Sequence, residues 1–220
     1  MNINIIFLVA LSFVYGIGSI ALLFQQWKRL SNGNVKTMDT WMKWYTVAIL
    51  VSNLTIMYFM QYFYSELDIF HTIRNMTIVS LLWIAAAIDK KYYVIPNQLI
   101  LVGLSGWCII TVVEIITKQE MWLNKLISEA IAVGGLLVIS AICLLVMKNS
   151  IGMGDLKMLI IMALYLGISG FLSAVFLSLL VSFFAAVVLL LRKVKSRKDT
   201  IPFGPFLLTG TLAGIILTGL

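Results

Sequence analysis

The sequence predicts an all-α, polytopic membrane protein with about eight transmembrane helices, and three observations lead to that fold class. Hydrophobic residues make up 61% of the 220 positions and charged residues only 11%. The mean hydropathy of +1.04 lies far above that of soluble globular domains. The apolar residues are also gathered into runs that can cross a hydrocarbon core of about 30 Å. We therefore expect residues 1–220 to form a single integral membrane domain.

Eight apolar runs follow one another, and each predicts one helix. The longest polar stretch, residues 26–44, separates the first two runs and is too short for a soluble domain. The third run ends at Asp89, and the fourth follows Pro96, a residue that suits the first turn of a helix. The sixth run is short and opens at Asp155. The predicted helices cover residues 3–25, 45–64, 73–89, 97–117, 129–147, 155–168, 171–191 and 201–219.

Lysine and arginine residues predict the orientation of these helices. If both termini are extracytoplasmic, 13 of the 16 basic residues fall on the cytoplasmic side, as the positive-inside rule requires. The cytoplasmic residues are Lys28, Arg29, Lys36, Lys43, Lys90, Lys91, Lys148, Lys157, Arg192, Lys193, Lys195, Arg197 and Lys198, and the others are Arg74, Lys118 and Lys125. Topology therefore accounts for the net charge of +7, and no nucleic-acid partner is expected.

Asp89 and Asp155 are the most informative polar residues of the chain. An acid within or beside a hydrocarbon span is costly, and by default it marks a functional site. The predicted topology places both at cytoplasmic helix ends, so we expect their carboxylates at one depth. Two neighbouring carboxylates share a proton and can perform general acid/base catalysis on water. We expect a catalytic pair, in which Asp155 at a helix N-terminus is the ionised member.

The residues around the acids suggest how a substrate is held. Residues 90–95 are expected to form a tight, partly extended hairpin, because Pro96 disfavours a helical conformation at the residue before it. Glycines at Gly152 and Gly154 remove side chains before Asp155 and let another backbone come close. An extended segment beside an acid pair can bind an unfolded peptide, as a protease must.

Three motifs, in this order and spacing, resemble those of the type IV prepilin peptidases, which are membrane aspartic proteases of the GxGD type. The motifs are Asp89 with residues 95–97 (IPN), residues 152–157 (GMGDLK) and residues 201–206 (IPFGPF). The resemblance implies divergent N-terminal helices with a short basic cytoplasmic loop at 1–70, and a peptidase core at 73–219. It also implies that Asp89 and Asp155 are catalytic, and that the site is shaped by Gly152, Gly154, Lys157, Pro96, Asn97, Pro202, Gly204 and Pro205.

By this resemblance, the protein is expected to be an aspartic endopeptidase of the plasma (inner) membrane with its active site facing the cytoplasm. Its implied partners are membrane lipids and the precursors of pilins or pseudopilins, which serve type IV pili or protein secretion, and it would remove their basic leader. Proteolysis by an acid pair needs no metal or organic cofactor. Relatives that also methylate the new N-terminus use S-adenosylmethionine and commonly carry a longer first loop with paired cysteines. Because the loop here is short and has no cysteine, S-adenosylmethionine is implied only if that activity is retained.

Two other functions stay open. A proton-coupled transporter would use Asp89 and Asp155 as a relay, but it would favour acids at the bilayer midplane and an inverted repeat. A presenilin-like intramembrane protease would share the GxGD motif, yet such enzymes carry a Pro-Ala-Leu tripeptide that this chain lacks. The three motifs together favour the prepilin peptidase.

Overall fold

A computed structural model describes residues 5–31, 40–64, 68–117, 122–146, 152–192 and 201–219 of the chain. Within these ranges the secondary structure is helical. The seven helices are α1 (Ile5–Leu30), α2 (Thr40–Phe63), α3 (Ile69–Tyr92), α4 (Asn97–Thr117), α5 (Trp122–Val146), α6 (Met153–Leu191) and α7 (Gly204–Thr218). Five of them, α2 to α6, are long and apolar enough to cross a membrane, and α7 is a shorter apolar helix. The fold therefore agrees with an all-α, polytopic membrane protein.

Part of the predicted topology lies outside the described residues. This holds for residues 32–39, the centre of the first predicted cytoplasmic loop, and for the basic residues Lys36, Lys118, Lys148, Lys193, Lys195, Arg197 and Lys198. The count of eight crossings, the side of the termini and the orientation of the helices stay predictions.

Helix α3 lies at the centre of the fold and packs against α1, α2, α4, α6 and α7. Its sequence suits this place, because Ala85, Ala86 and Ala87 are at most 1% exposed and their short side chains let neighbouring helices approach closely. A polar contact joins it to α2, where Asn53 Nδ2 donates to Ser80 Oγ at 3.1 Å. The central position brings the end of α3 against residues from several other helices.

Helix α3 continues beyond the predicted span of 73–89, so Asp89 does not close it. Three further residues are helical, and only residues 93–96 are non-helical, where a hairpin over 90–95 was expected. The helix ends at Tyr92 and is capped by Tyr93, which adopts a left-handed conformation (φ 54°) and donates its N–H to the Asp89 carbonyl at 2.9 Å. Lys90 and Lys91 end the apolar run but not the helix, because lysine is a good helix former.

The predicted sixth and seventh helices form one element, α6, which is interrupted at Gly167 (φ 64°, ψ −174°). No loop separates the two halves, so the expected pair of helices is joined at a single non-helical residue. Most buried residues of α6 precede this interruption, whereas the half that follows is mostly exposed at its side chains. The half that contains Asp155 is thus the one packed into the protein.

Candidate active site

Asp89 and Asp155 line a single cavity of about 290 Å³. Asp89 belongs to α3 and is only 6% exposed, and Asp155 belongs to the first turn of α6 and is half-buried. Among the residues that the structure describes, neither carboxylate forms an ion pair. Two acids from different helices therefore face one space, and Lys157, which also lines it, binds Asn97 and not either carboxylate.

The Asp89 carboxylate is held by the N-terminus of α7. The backbone N–H of Gly204 donates to Asp89 Oδ2 at 2.8 Å. The N–H groups of a first helical turn have no partner within their helix, and the helix dipole adds partial positive charge there. A Cβ at Gly204 would lie 3.1 Å from Asp89 Oδ2 and 3.2 Å from Ala86 Cα, so any larger residue would have to shift this close approach by a few tenths of an ångström.

The two glycines before Asp155 each leave room for a different neighbour. A Cβ at Gly152 would lie 2.9 Å from Asp155 Oδ2, because the carboxylate turns back over the residue that precedes the helix. A Cβ at Gly154 would instead lie 3.3 Å from Ile95 Cβ, in the segment that joins α3 to α4. One glycine makes space for the acid, and the other lets the non-helical segment 93–96 pack against the start of α6.

Lys157 and Asn97 join the two segments that surround the cavity. Lys157 Nζ donates to Asn97 Oδ1 at 2.8 Å and so ties the first turn of α6 to the first residue of α4. Pro96 directly precedes α4, and its carbonyl accepts the N–H of Leu99 at 3.0 Å. The proline sets the direction in which the chain enters α4.

The cavity brings together most of the residues that the sequence singled out. Six of them line it, namely Asp89, Asn97, Gly152, Gly154, Asp155 and Lys157. Gly204 reaches Asp89 from α7, whereas Pro96, Pro202 and Pro205 lie in the adjoining backbone: Pro202 precedes α7 and Pro205 belongs to its first turn. Their roles in catalysis stay predictions.

Sequence reasoning did not single out several side chains of the site. Tyr93, Val94, Ile95 and Met153 line the cavity. The sequence indicated the first three only as part of a segment beside the acids, and Met153 only as the variable position between two motif glycines. The described residues contain no group of three or more histidine, cysteine or acidic side chains that could hold a metal ion.

Comparison with known proteins shows which family the chain belongs to. A model of the type IV leader peptidase family matches residues 76–191, a range that includes both acids. A curated relative, the prepilin leader peptidase/N-methyltransferase of Bacillus subtilis (strain 168), is 25% identical over 134 residues, which cover 61% of this chain and 51% of that protein. The chain thus spans about half the length of this relative. No solved structure matches the chain. Since the family model matches more than half of its residues, the chain belongs to the type IV leader peptidase family.

Proposed function

We propose that this protein is a prepilin leader peptidase, an aspartic endopeptidase that removes the basic leader of pilin-like precursors at the cytoplasmic face of the plasma membrane. The observation that carries the proposal is the shared cavity, which two acids on separate helices line without an ion pair among the described residues. Family membership supports a protease, and an acid pair supplies the chemistry for peptide hydrolysis.

The contacts of the two carboxylates favour different protonation states. Asp89 accepts a hydrogen bond from the backbone N–H of Gly204 at the N-terminus of α7, where negative charge is stabilised. The sequence predicted Asp155 as the ionised member, but this hydrogen bond favours the opposite assignment. We assign the negative charge to Asp89 and the proton to Asp155, because two like charges in one small cavity repel each other.

The proposed reaction moves two protons through this pair. Asp89 takes a proton from a water molecule as the water oxygen attacks the scissile carbonyl carbon, and Asp155 donates its proton to the carbonyl oxygen. The resulting tetrahedral intermediate then loses its C–N bond. The proton held by Asp89 passes to the leaving nitrogen, and the hydroxyl proton of the intermediate returns to Asp155. The pair is thus restored, and a carboxylic acid and an amine are released.

The non-helical segment beside the acids is suited to binding the substrate backbone. Val94 and Ile95 line the cavity and belong to the non-helical segment 93–96, in which Tyr93 donates its N–H to Asp89 and the Pro96 carbonyl accepts from Leu99. Their backbone groups can pair with an extended peptide, and such pairing places the peptide by its main chain. We propose that the leader junction of the precursor lies along this segment with its scissile bond between Asp89 and Asp155.

The methyltransferase activity named for the Bacillus subtilis relative is outside our proposal. S-adenosylmethionine would be needed only for that second reaction, and residues 32–39 of the first loop lie outside the described part of the chain. All steps proposed above use only side chains of this protein and water.

The test is co-expression with a pilin precursor that carries a Gly-Phe junction before its hydrophobic helix. We expect the wild type to cleave the precursor, and Asp89→Asn and Asp155→Asn each to lower the rate at least about 1,000-fold, since both carboxylates take part in proton transfer. Asp68→Asn is the matched control, because Asp68 directly precedes the first residue of α3 and so lies at the end of that helix away from Asp89. Mass spectrometry of the mature N-terminus locates the cut and shows whether it is methylated.

Two results would overturn the proposal. One is an uncut precursor in the presence of wild-type protein that has accumulated in the membrane. The other is wild-type cleavage by either asparagine variant, which would show that the acid pair is not the catalytic group.

A further inference from the structure

The interruption of α6 at Gly167 breaks the helix at a defined point. Its dihedral angles (φ 64°, ψ −174°) belong to a region that is essentially restricted to glycine. A Cβ there would also lie 2.9 Å from Ser128 Oγ. In a continuous helix, the carbonyl of Leu164 would accept the N–H of Ile168 across this residue.

Both of these backbone groups have a side-chain partner. Arg74 Nη1 of α3 donates to the carbonyl of Leu164 at 3.3 Å. The N–H of Ile168 donates to Ser128 Oγ of α5 at 3.0 Å. Two side chains from two neighbouring helices thus bind the groups on either side of Gly167, and the interruption is a specific junction of three helices.

Arg74 is itself fixed by a buried ionic cluster. Its two terminal nitrogens bind Glu129 at 2.5 Å and Glu114 at 2.9 Å. Trp107 Nε1 donates to the second oxygen of Glu129 at 2.9 Å, and Lys125 Nζ binds the second oxygen of Glu114 at 2.6 Å. Two cations and two anions balance one another, and all four carboxylate oxygens have a partner. Of the Arg74 guanidinium nitrogens, Nε is buried without a partner, while the bonds of the two terminal nitrogens hold the group in one position.

The junction connects the two helices that carry the acid pair. Arg74 lies 15 residues before Asp89 on α3, which is about 22 Å along a helix. Asp155 opens the half of α6 that ends at Gly167. Apolar packing between the two helices is non-directional, whereas the hydrogen bond from Arg74 to the Leu164 carbonyl fixes how far α6 lies along α3. The bond from Ile168 to Ser128 ties α6 to α5, and Arg74 binds α5 through the adjacent Glu129.

We propose that Arg74 and Ser128 are positioning residues for the acid pair, because they fix the first half of α6 against α3 and thereby set the separation of Asp89 and Asp155. The expected loss of cleavage activity rests on the proposed function. The expected change in the separation of Asp89 and Asp155 does not depend on any substrate. Neither residue touches the cavity, so each acts only through the helices.

The first experiment measures the geometry of the pair in the full chain in membranes. Asp89→Cys and Asp155→Cys are combined with Cys108→Ser and Cys143→Ser, and cross-linkers of graded length are scored by intact mass. Adding Ser128→Ala or Arg74→Lys should shift the best linker to a greater length or spread the yield over several lengths. Ser140→Ala is the matched control, since Ser140 also lies on α5 but its hydroxyl donates within its own helix, to Leu136.

The second experiment measures cleavage of a pilin precursor with both acids intact. Ser128→Ala should lower kcat about tenfold, the effect of a displacement of less than 1 Å at a reacting group. KM should stay within twofold, because residues 93–96 are untouched, and Ser140→Ala should cleave like the wild type.

The outcomes separate this inference from the proposed function. If the wild type does not cleave, the proposed function fails, while the linker profile still tests the positioning. If Ser128→Ala gives the same linker profile as the Ser140→Ala control, the inference is overturned, whatever the kinetics show. Ser128→Ala removes a single oxygen from a half-buried position, so the test stands even if Arg74→Lys does not accumulate.

Discussion

Acidic side chains lie near both ends of α3, but they are paired with cations at only one of them, as far as the described residues show. Near its start, Glu114 and Glu129 are buried and each is paired with Arg74. Near its end, Asp89 and Asp155 share a cavity, and in the described part of the chain neither has a cation as a partner. One helix therefore joins a cluster whose acids are paired with cations to an acid pair that forms no ion pair among the described residues.

This difference in ion pairing distinguishes acids that suit a structural role from acids that suit catalysis. Burying a carboxylate is costly, and an ion pair offsets that cost only when its geometry and remaining hydrogen bonds are good. In the cluster around Arg74 all four carboxylate oxygens are bonded, and Arg74 Nε is buried without a partner. At the other end, Asp89 accepts a hydrogen bond from a neutral backbone group, the N–H of Gly204, and forms no ion pair among the described residues. An acid that stays costly inside a membrane protein is best explained by its function.

The largest expected effect comes from breaking the cluster. Arg74→Met leaves Glu114 and Glu129 buried without their shared cation, so we expect the free energy of unfolding to fall by about 3–5 kcal/mol. Unfolding in mixed detergent micelles, followed by circular dichroism, measures the change. Lys28→Met is the control, because Lys28 is exposed at the end of α1.

A compensating variant sharpens the same prediction. The triple variant combines Arg74→Met with Glu114→Gln and Glu129→Gln, so the cluster no longer contains a buried acid without its cation. It should recover at least half of the lost stability. A loss below about 1 kcal/mol in Arg74→Met alone would contradict the comparison, since the cluster would then be no more than a surface-like ion pair.

At the other end of α3, a change in backbone spacing should lower activity and leave stability nearly unchanged. In Gly204→Ala the added Cβ must displace Asp89 or α7 by a few tenths of an ångström, and we expect about tenfold slower cleavage of a pilin precursor. The control is Gly134→Ala, because a Cβ at Gly134 would meet nothing within 4 Å. Equal cleavage rates for both variants would show that the Gly204–Asp89 contact does not support catalysis.

The sequence was sufficient to predict helix bounds and the location of the candidate site where a local feature, such as a proline or an acid at the end of an apolar run, marks them. The structure gives α4 the predicted bounds, Asn97–Thr117, because Pro96 marks its start. The two acids were predicted to face one site, since each ends or begins an apolar run beside a recognisable motif, and both line one cavity. Their catalytic roles are still to be tested.

The sequence was insufficient where tertiary contacts decide. The sequence predicted a break between residues 168 and 171, but it did not predict that a single residue, Gly167, interrupts one helix, because Arg74 and Ser128 from other helices bind the backbone groups on either side of it. Arg74 was counted only as an extracytoplasmic charge, and Glu129 was passed over at the start of a predicted helix. The rule that drew attention to Asp89, that a charge in an apolar helix needs a reason, applies equally to these two residues.

The smallest expected effects come from replacing one lysine by methionine near each end of α3. Because the substitution is the same at both ends, it tests the comparison directly. Lys157 binds the amide of Asn97 beside the cavity, and Lys125 binds the carboxylate of Glu114 in the cluster. Lys157→Met should slow cleavage about threefold with little change in stability, because one hydrogen bond that joins α4 to α6 is lost. Lys125→Met should leave cleavage unchanged and lower the free energy of unfolding by about 1 kcal/mol or less, since this lysine is partly exposed. Rate and unfolding measurements on both variants would contradict the division between the two ends if each lysine affected both properties equally.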